Sequence, residues 1–246
     1  VALPPIRRQV VVAATPDVAF DVFTSEIGTW WPLASHSVFG AEATVAFRDG
    51  ELVERDPAGA ESVWGSVLDW EPPRGFRISW HPGSGPDEAT EVEVAFTPVG
   101  DDRTLVTLEH RGWERLSDPT GTRARYDGGW PTVLGRYDGG FGTATGDDEV
   151  WLALLHTPGP AVAGPLEVFA HPDFPEHLAF LRGLRDQGVL VAAGPFPASG
   201  EGMAVIRVPA GEVAEHVRRA QDDDRSVVGG VLQVRVRPWQ VVLTGA

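Results

Sequence analysis

The 246-residue chain has no cysteine. That excludes disulfides, thiolate nucleophiles, Fe–S clusters and thiolate zinc sites. It has no lysine either. All 20 basic residues are arginine, so Schiff-base chemistry on a lysine is impossible. No apolar run approaches the ~20 residues a membrane helix needs. The first residues, VALPPIRRQVVVAATP, lack a signal-peptide layout, so a cytoplasmic protein is expected. Positive charge is scarce: 20 arginines face 35 acids, a formal net charge of −15. Such a field disfavours nucleic acid and membrane surfaces as partners.

What is present is ordinary for a globular protein, 42% hydrophobic and 22% charged. The length fits one large domain or two. Residues 137–148, YDGGFGTATGDD, are glycine-rich and without apolar periodicity, which predicts a linker. Seven of the nine tryptophans precede it. Two domains are expected, 1–142 and 148–246.

The first domain opens with an alternating run at residues 6–13, read as a strand. Thr15-Pro16 then starts a helix whose apolar face is Val18, Phe20, Val22 and Phe23. Six strand-like runs follow, at residues 43–48, 51–55, 62–71, 75–81, 90–98 and 104–113, divided by Gly, Pro and Asp signals. A helix over 123–141 carries Trp130, Val133, Leu134 and Tyr137 at helical spacing, weakened by Gly128 and Gly129. A sheet that must bury one face against a terminal helix curls around it. The second domain reads strand (149–156), helix (175–187), strands (189–193 and 202–208), helix (210–220), strand (231–238). That is a ferredoxin-like βαββαβ order, so the fold class is α+β throughout. A proline-rich loop, 156–174, carries His156 and His171 and reads as a lid.

In the first domain Trp31, Trp64, Trp80, Trp113 and Trp130 are expected to line an apolar pocket, with His36 and His110 as polar anchors. Glu91 and Glu93 share one strand face and read as a solvated face. The segments WWPLASHSVFG, VWGSVLDWEPPRGFRISW, TEVEVAFTPVGDDRTLVTLEHRGWERL and GWPTVL together resemble the START-like (SRPBCC) superfamily, in the branch of homologues of the heat-shock-protein ATPase activator. The resemblance spans residues 6–141. It implies a helix-grip fold with a cavity for a small hydrophobic or aromatic molecule. In the run FRDGELVER, Glu54 stands as the counterpart of a common family glutamate.

In the second domain, H-L-x-x-L from His177, G-x-L-x-x-A-G-P from Gly188, an acidic step at Asp222, Asp223 and Asp224, and a strand ending in Pro238-Trp239 look like the YciI-like (YCII-related) family. The match covers roughly residues 149–243. It implies a ferredoxin-like fold of the dimeric α/β-barrel type, a homodimer through this domain, and a histidine–aspartate pair carried by His177 and Asp223. Phe174 stands where the family often has arginine, and Asp224 where it usually has proline. The chemistry is independent of the resemblance. An imidazole titrates near neutrality, and a carboxylate on its other nitrogen orients the ring as a base. At a helix N-terminus the dipole favours the neutral ring. No compact ligand spacing marks a metal site, although His156, His171 and His177 could supply imidazoles, and no cofactor is expected. The leading expectation is a cofactor-independent, lyase- or hydrolase-like enzyme acting by elimination, isomerisation or hydrolysis. The alternatives are a hydrophobic-ligand carrier whose second domain dimerises, and a chaperone co-factor.

Overall fold

The computed structural model describes residues 3–141 and 149–242, and the chain divides into two compact units, Val1–Thr143 and Ala144–Ala246. Of the expected linker, Tyr137 and Asp138 belong to a helix, and residues 142–148 lie outside the described residues. Among the described residues no helix is long and apolar enough to cross a membrane.

The first unit is built on one seven-stranded antiparallel sheet. Its strands are β1 (Ile6–Val12), β2 (Thr44–Arg48), β3 (Glu51–Arg55), β4 (Glu61–Glu71), β5 (Gly75–Trp80), β6 (Thr90–Pro98) and β7 (Thr104–Arg111). They lie in the order β1-β7-β6-β5-β4-β3-β2. Asp49 and Gly50 both take positive φ between β2 and β3, the backbone twist that a two-residue hairpin requires. Where β4 meets β5, a Cβ on Gly65 would lie 1.7 Å from the Ser79 carbonyl oxygen, so only glycine fits. Helix α1 (Pro16–Thr24) packs Phe20 and Phe23 against Phe76 and Phe96, and the short α2 (Ile27–Trp30) follows.

Helix α3 (Pro119–Asp138) begins four residues before the expected start at Arg123. Asp118 caps it by accepting the Gly121 N–H, and Pro119 occupies the first turn, where its missing N–H costs nothing. Trp130, Val133, Leu134 and Tyr137 are its buried face, and the Tyr137 hydroxyl donates to the Ala19 carbonyl at 2.7 Å. The unit is thus a mixed α+β body with a large antiparallel sheet and a long helix, consistent with a helix grip. Glu91 is not simply solvated: Arg77 and Arg111 hold it, and Arg111 reaches Glu93 as well.

In the second unit, β8 (Glu149–Pro158), β9 (Leu190–Pro195), β10 (Gly202–Pro209) and β11 (Leu232–Pro238) form a four-stranded antiparallel sheet in the order β11-β8-β10-β9. Helices α4 (Phe174–Asp186) and α5 (Val213–Asp222) and the short α6 (Arg225–Val228) connect them. The alternation along β8 buries Leu152, Leu154 and His156 on one side. The expected structureless loop is shorter, because β8 runs on to Pro158 and residues Pro165–Ala170 form a 3-10 turn.

Candidate functional site

In the second unit, His177 sits in the first turns of α4, and its Nδ1 lies 2.6 Å from Oδ2 of Asp224. Asp224 is fully buried, and its other oxygen accepts the Ser226 N–H at 3.0 Å as the cap of α6. The residue expected to pair with His177, Asp223, does not. It continues the helical backbone of α5, so its side chain stays on the outer face, bound to Arg218 and Arg219 at 3.3 Å each. The chain turns extended only at Asp224, and that turn swings the carboxylate inward.

His156, expected at the junction of strand and loop, lies inside β8, which continues to Pro158. It is 3% exposed, with its ring centroid 4.6 Å from that of His177. Burial, reinforced by the neighbouring His177, pushes its pKa down to about 3, against the opposing pull of Asp224 and the Leu154 carbonyl. Its Nε2 is buried without a hydrogen-bond partner. His171 lies apart, accepting the Asp173 N–H. His156 and His177 open onto a cavity of about 300 Å³ whose wall includes Val168, Phe174, Leu178 and Leu232. The Phe174 ring, where an arginine was the alternative, lies 5.8 Å from the His177 ring and makes this wall apolar. His156, His177 and Asp224 each bring one ligand atom within 4.8 Å of the others, a two-histidine, one-carboxylate set that suits a divalent transition metal.

The first unit holds a second, larger cavity of about 510 Å³. Of the seven residues expected there, Trp31, His36, Trp64, Trp80 and Trp130 line it. Neighbouring indoles contact each other at ring distances of 5.2 Å (Trp31–Trp64) and 5.5 Å (Trp80–Trp130). His110 and Trp113 do not line it, because both are fully buried within the packed core. His110 accepts the Trp130 indole N–H at Nδ1 (3.1 Å), and its Nε2 meets the Thr90 hydroxyl (2.7 Å), which itself donates to the Trp80 carbonyl. That chain of donors fixes a neutral ring with its proton on Nε2. Burial, helped by the Arg123 charge, lowers its pKa to about 3. His110 therefore aligns Trp130 and Trp80 from behind.

Glu54 acts from behind in the same way. It is fully buried and accepts three N–H groups at 2.8 Å, from Val38, Phe39 and the Trp64 indole, so it pins the segment that carries Ser37 and Val38 to the cavity rim. His36 stands over Gly129, where a Cβ would lie 3.2 Å from its Nε2. The glycine that weakens α3 thus makes room for a cavity residue. Tyr126, absent from the sequence expectation, lines the cavity, and burial raises its phenol pKa.

Residues 13–137 match the model of the family described as Activator of Hsp90 ATPase homolog 1-like protein. The chain belongs to that family. Among solved structures similar to this family member, the anthrahydroquino-gama-pyrone synthase Txn09 is 37% identical, with 56% of this chain and 97% of that chain covered at a TM-score of 0.42. CalC from Micromonospora echinospora, a self-sacrificing resistance protein, is 24% identical, with coverages of 56% and 93% and a TM-score of 0.40. PFC0360w, an HSP90 activator from Plasmodium falciparum, is 16% identical, with coverages of 54% and 91% and a TM-score of 0.38. No curated protein matches the chain. The match to the activator-homologue family ends at residue 137, so the second unit takes no name from it.

Proposed function

We propose that this protein is a small-molecule enzyme whose second unit performs acid–base chemistry on a cyclic or aromatic compound, by elimination, isomerisation or hydrolysis. The observation that carries the reading is the 2.6 Å contact between His177 Nδ1 and the buried Asp224, at the wall of an apolar cavity. Asp224 is immobilised by the Ser226 N–H, so it accepts the Nδ1 proton and leaves the Nε2 lone pair for a substrate. When Nε2 takes a proton, the carboxylate stabilises the imidazolium, and the same proton can return to the leaving group or to the rearranged carbon. The apolar wall excludes water and strengthens that interaction.

The strand order β11-β8-β10-β9, with one helix after the first strand and another after the third, supports a ferredoxin-like, YciI-related unit that forms a homodimer. In the first unit the tryptophan-lined cavity captures an apolar ligand, in keeping with its size and its few polar groups. Screening cyclic and aromatic metabolites for turnover by mass spectrometry supplies the assay. His177→Gln is expected to lower kcat by roughly 10²-fold or more. Undiminished turnover in that variant ends the proposal.

A further inference from the structure

We propose that the first unit's cavity takes a flat aromatic compound carrying a neutral polyhydroxylated group, such as a glycosyl substituent, with the rings on the indole floor and the hydroxyls at the mouth. The inference rests on the reading of that cavity as a capture site for an apolar ligand, and says what the ligand carries besides. Polarity in the cavity divides by burial. The buried lining residues, Trp31, Trp64, Trp80, Trp130 and Val133, are all apolar. The exposed ones, Val38 apart, are all polar or charged: Ser84, Glu88, Ser117, Asp118 and Arg125.

Two segments carry this rim. Ser84 and Glu88 lie in the connection between β5 and β6, and Ser117 and Asp118 lead into α3. Along α3 the cavity positions fall three and four residues apart, from Thr122 and Arg125 through Tyr126 to Trp130 and Val133, so one helix face runs from a polar end to an apolar end. A wholly apolar ligand would leave the polar end unused. Charge at the rim is balanced. Asp118 accepts the Gly121 N–H at 3.0 Å as the cap of α3, and the positive end of the helix offsets its carboxylate. That leaves Glu88 against Arg125, neither of which has an ion-pair partner among the described residues. Such a rim matches neither an anionic nor a cationic substituent. It does match a polyol, because each hydroxyl both donates and accepts. Glu88 offers acceptors, and Arg125 keeps donors beyond the one it gives to Thr122 Oγ1 at 2.9 Å. The hydroxyls of Ser84 and Ser117 serve in either sense. At about 510 Å³ the cavity lies within the range that holds a drug-sized ligand.

Four ligands sharing one ring system test the match: 2-methoxynaphthalene, 2-naphthyl glucoside, 2-naphthyl sulfate and 2-naphthyltrimethylammonium. Calorimetry on the full chain measures affinity. A ¹³C-methyl label on the single methionine, Met203, reports any ligand that enters the second unit's cavity, which that residue lines. The glucoside is expected to bind about tenfold more tightly than the methyl ether, the worth of one typical hydrogen bond. It should also bind more tightly than either ion, and without shifting Met203. Combining Glu88→Gln with Arg125→Met should bring the glucoside and the methyl ether to within about twofold of each other. Both side chains are exposed, so the urea midpoint of this variant checks that the fold is kept. Glu88→Gln alone keeps an acceptor and should retain part of the preference, which separates lost recognition from lost folding. Equal binding of glucoside and methyl ether, tighter binding of either ion, or a preference that survives the double variant overturns the inference and leaves the capture of an apolar ligand standing. Failure of all four to bind, or binding that shifts Met203 in step with the heat, overturns both.

Discussion

Lowering the pH should unfold the first unit through His110. The ring is buried and held neutral with a pKa of about 3, whereas in the unfolded chain it titrates near 6.5. The folded pKa is depressed, so above pH 6.5 both states hold a neutral ring and no penalty arises. As pH falls below 6.5 the unfolded state binds a proton that the folded state refuses, and stability falls until the folded ring titrates near 3. Each pH unit in that window costs about 1.4 kcal/mol, so two units, from 6.5 to 4.5, cost about 2.7 kcal/mol. The assay is urea unfolding followed by tryptophan fluorescence at pH 7.5 and 4.5. Seven of the nine tryptophans precede residue 137, and Trp113 and Trp130 pack on His110 itself. His110→Gln retains a donor and an acceptor but does not titrate. Its loss of stability between the two pH values should be smaller by about 2.7 kcal/mol. Identical losses in the two proteins would refute the argument, because the acid sensitivity would then arise elsewhere.

Two further changes test the packing. Asp224→Asn removes a buried, charge-assisted bond and should destabilise the second unit by about 1.5–3 kcal/mol, whereas Asp223→Asn breaks only half-exposed pairs with Arg218 and Arg219 and should cost under about 1 kcal/mol. Urea midpoints read from the Met203 methyl would check this, and equal midpoints would contradict it. Gly65→Ala pushes a Cβ to within 1.7 Å of the Ser79 carbonyl oxygen, so the β4–β5 pairing must open. The urea midpoint of the first unit should fall sharply, and an unchanged midpoint would show that the strand accommodates the methyl group.

The sequence made the seven strands of the first unit legible because alternation and turn residues are local signals, and strand pairing then follows from hairpin connections. The early start of α3 was also there to be read: Asp118-Pro119 is a cap followed by a first-turn proline. Choosing between Asp223 and Asp224 was harder, because three adjacent carboxylates look alike until the backbone leaves the helix. Asp224-Arg225-Ser226, an aspartate opening a short turn that ends at Gly229 and Gly230, was the cue that could have decided it. His110 and Trp113 lie in the packed interior rather than at the cavity, a difference that strand periodicity does not carry, because it separates the two faces of a sheet but not a packed interior from the cavity beside it. His156 is legible as the last residue of a strand and as a possible metal ligand, but its contact with His177 and Asp224 is not, because it depends on how a strand and two helices pack.

Asp224 opens one short helix with one oxygen and steadies an imidazole with the other. Local backbone order and chemical readiness therefore stand or fall together at this position. A lineage cannot trade the acid for a tighter turn without also losing the alignment of His177, and any insertion between the end of α5 and this residue would disturb both in a single step.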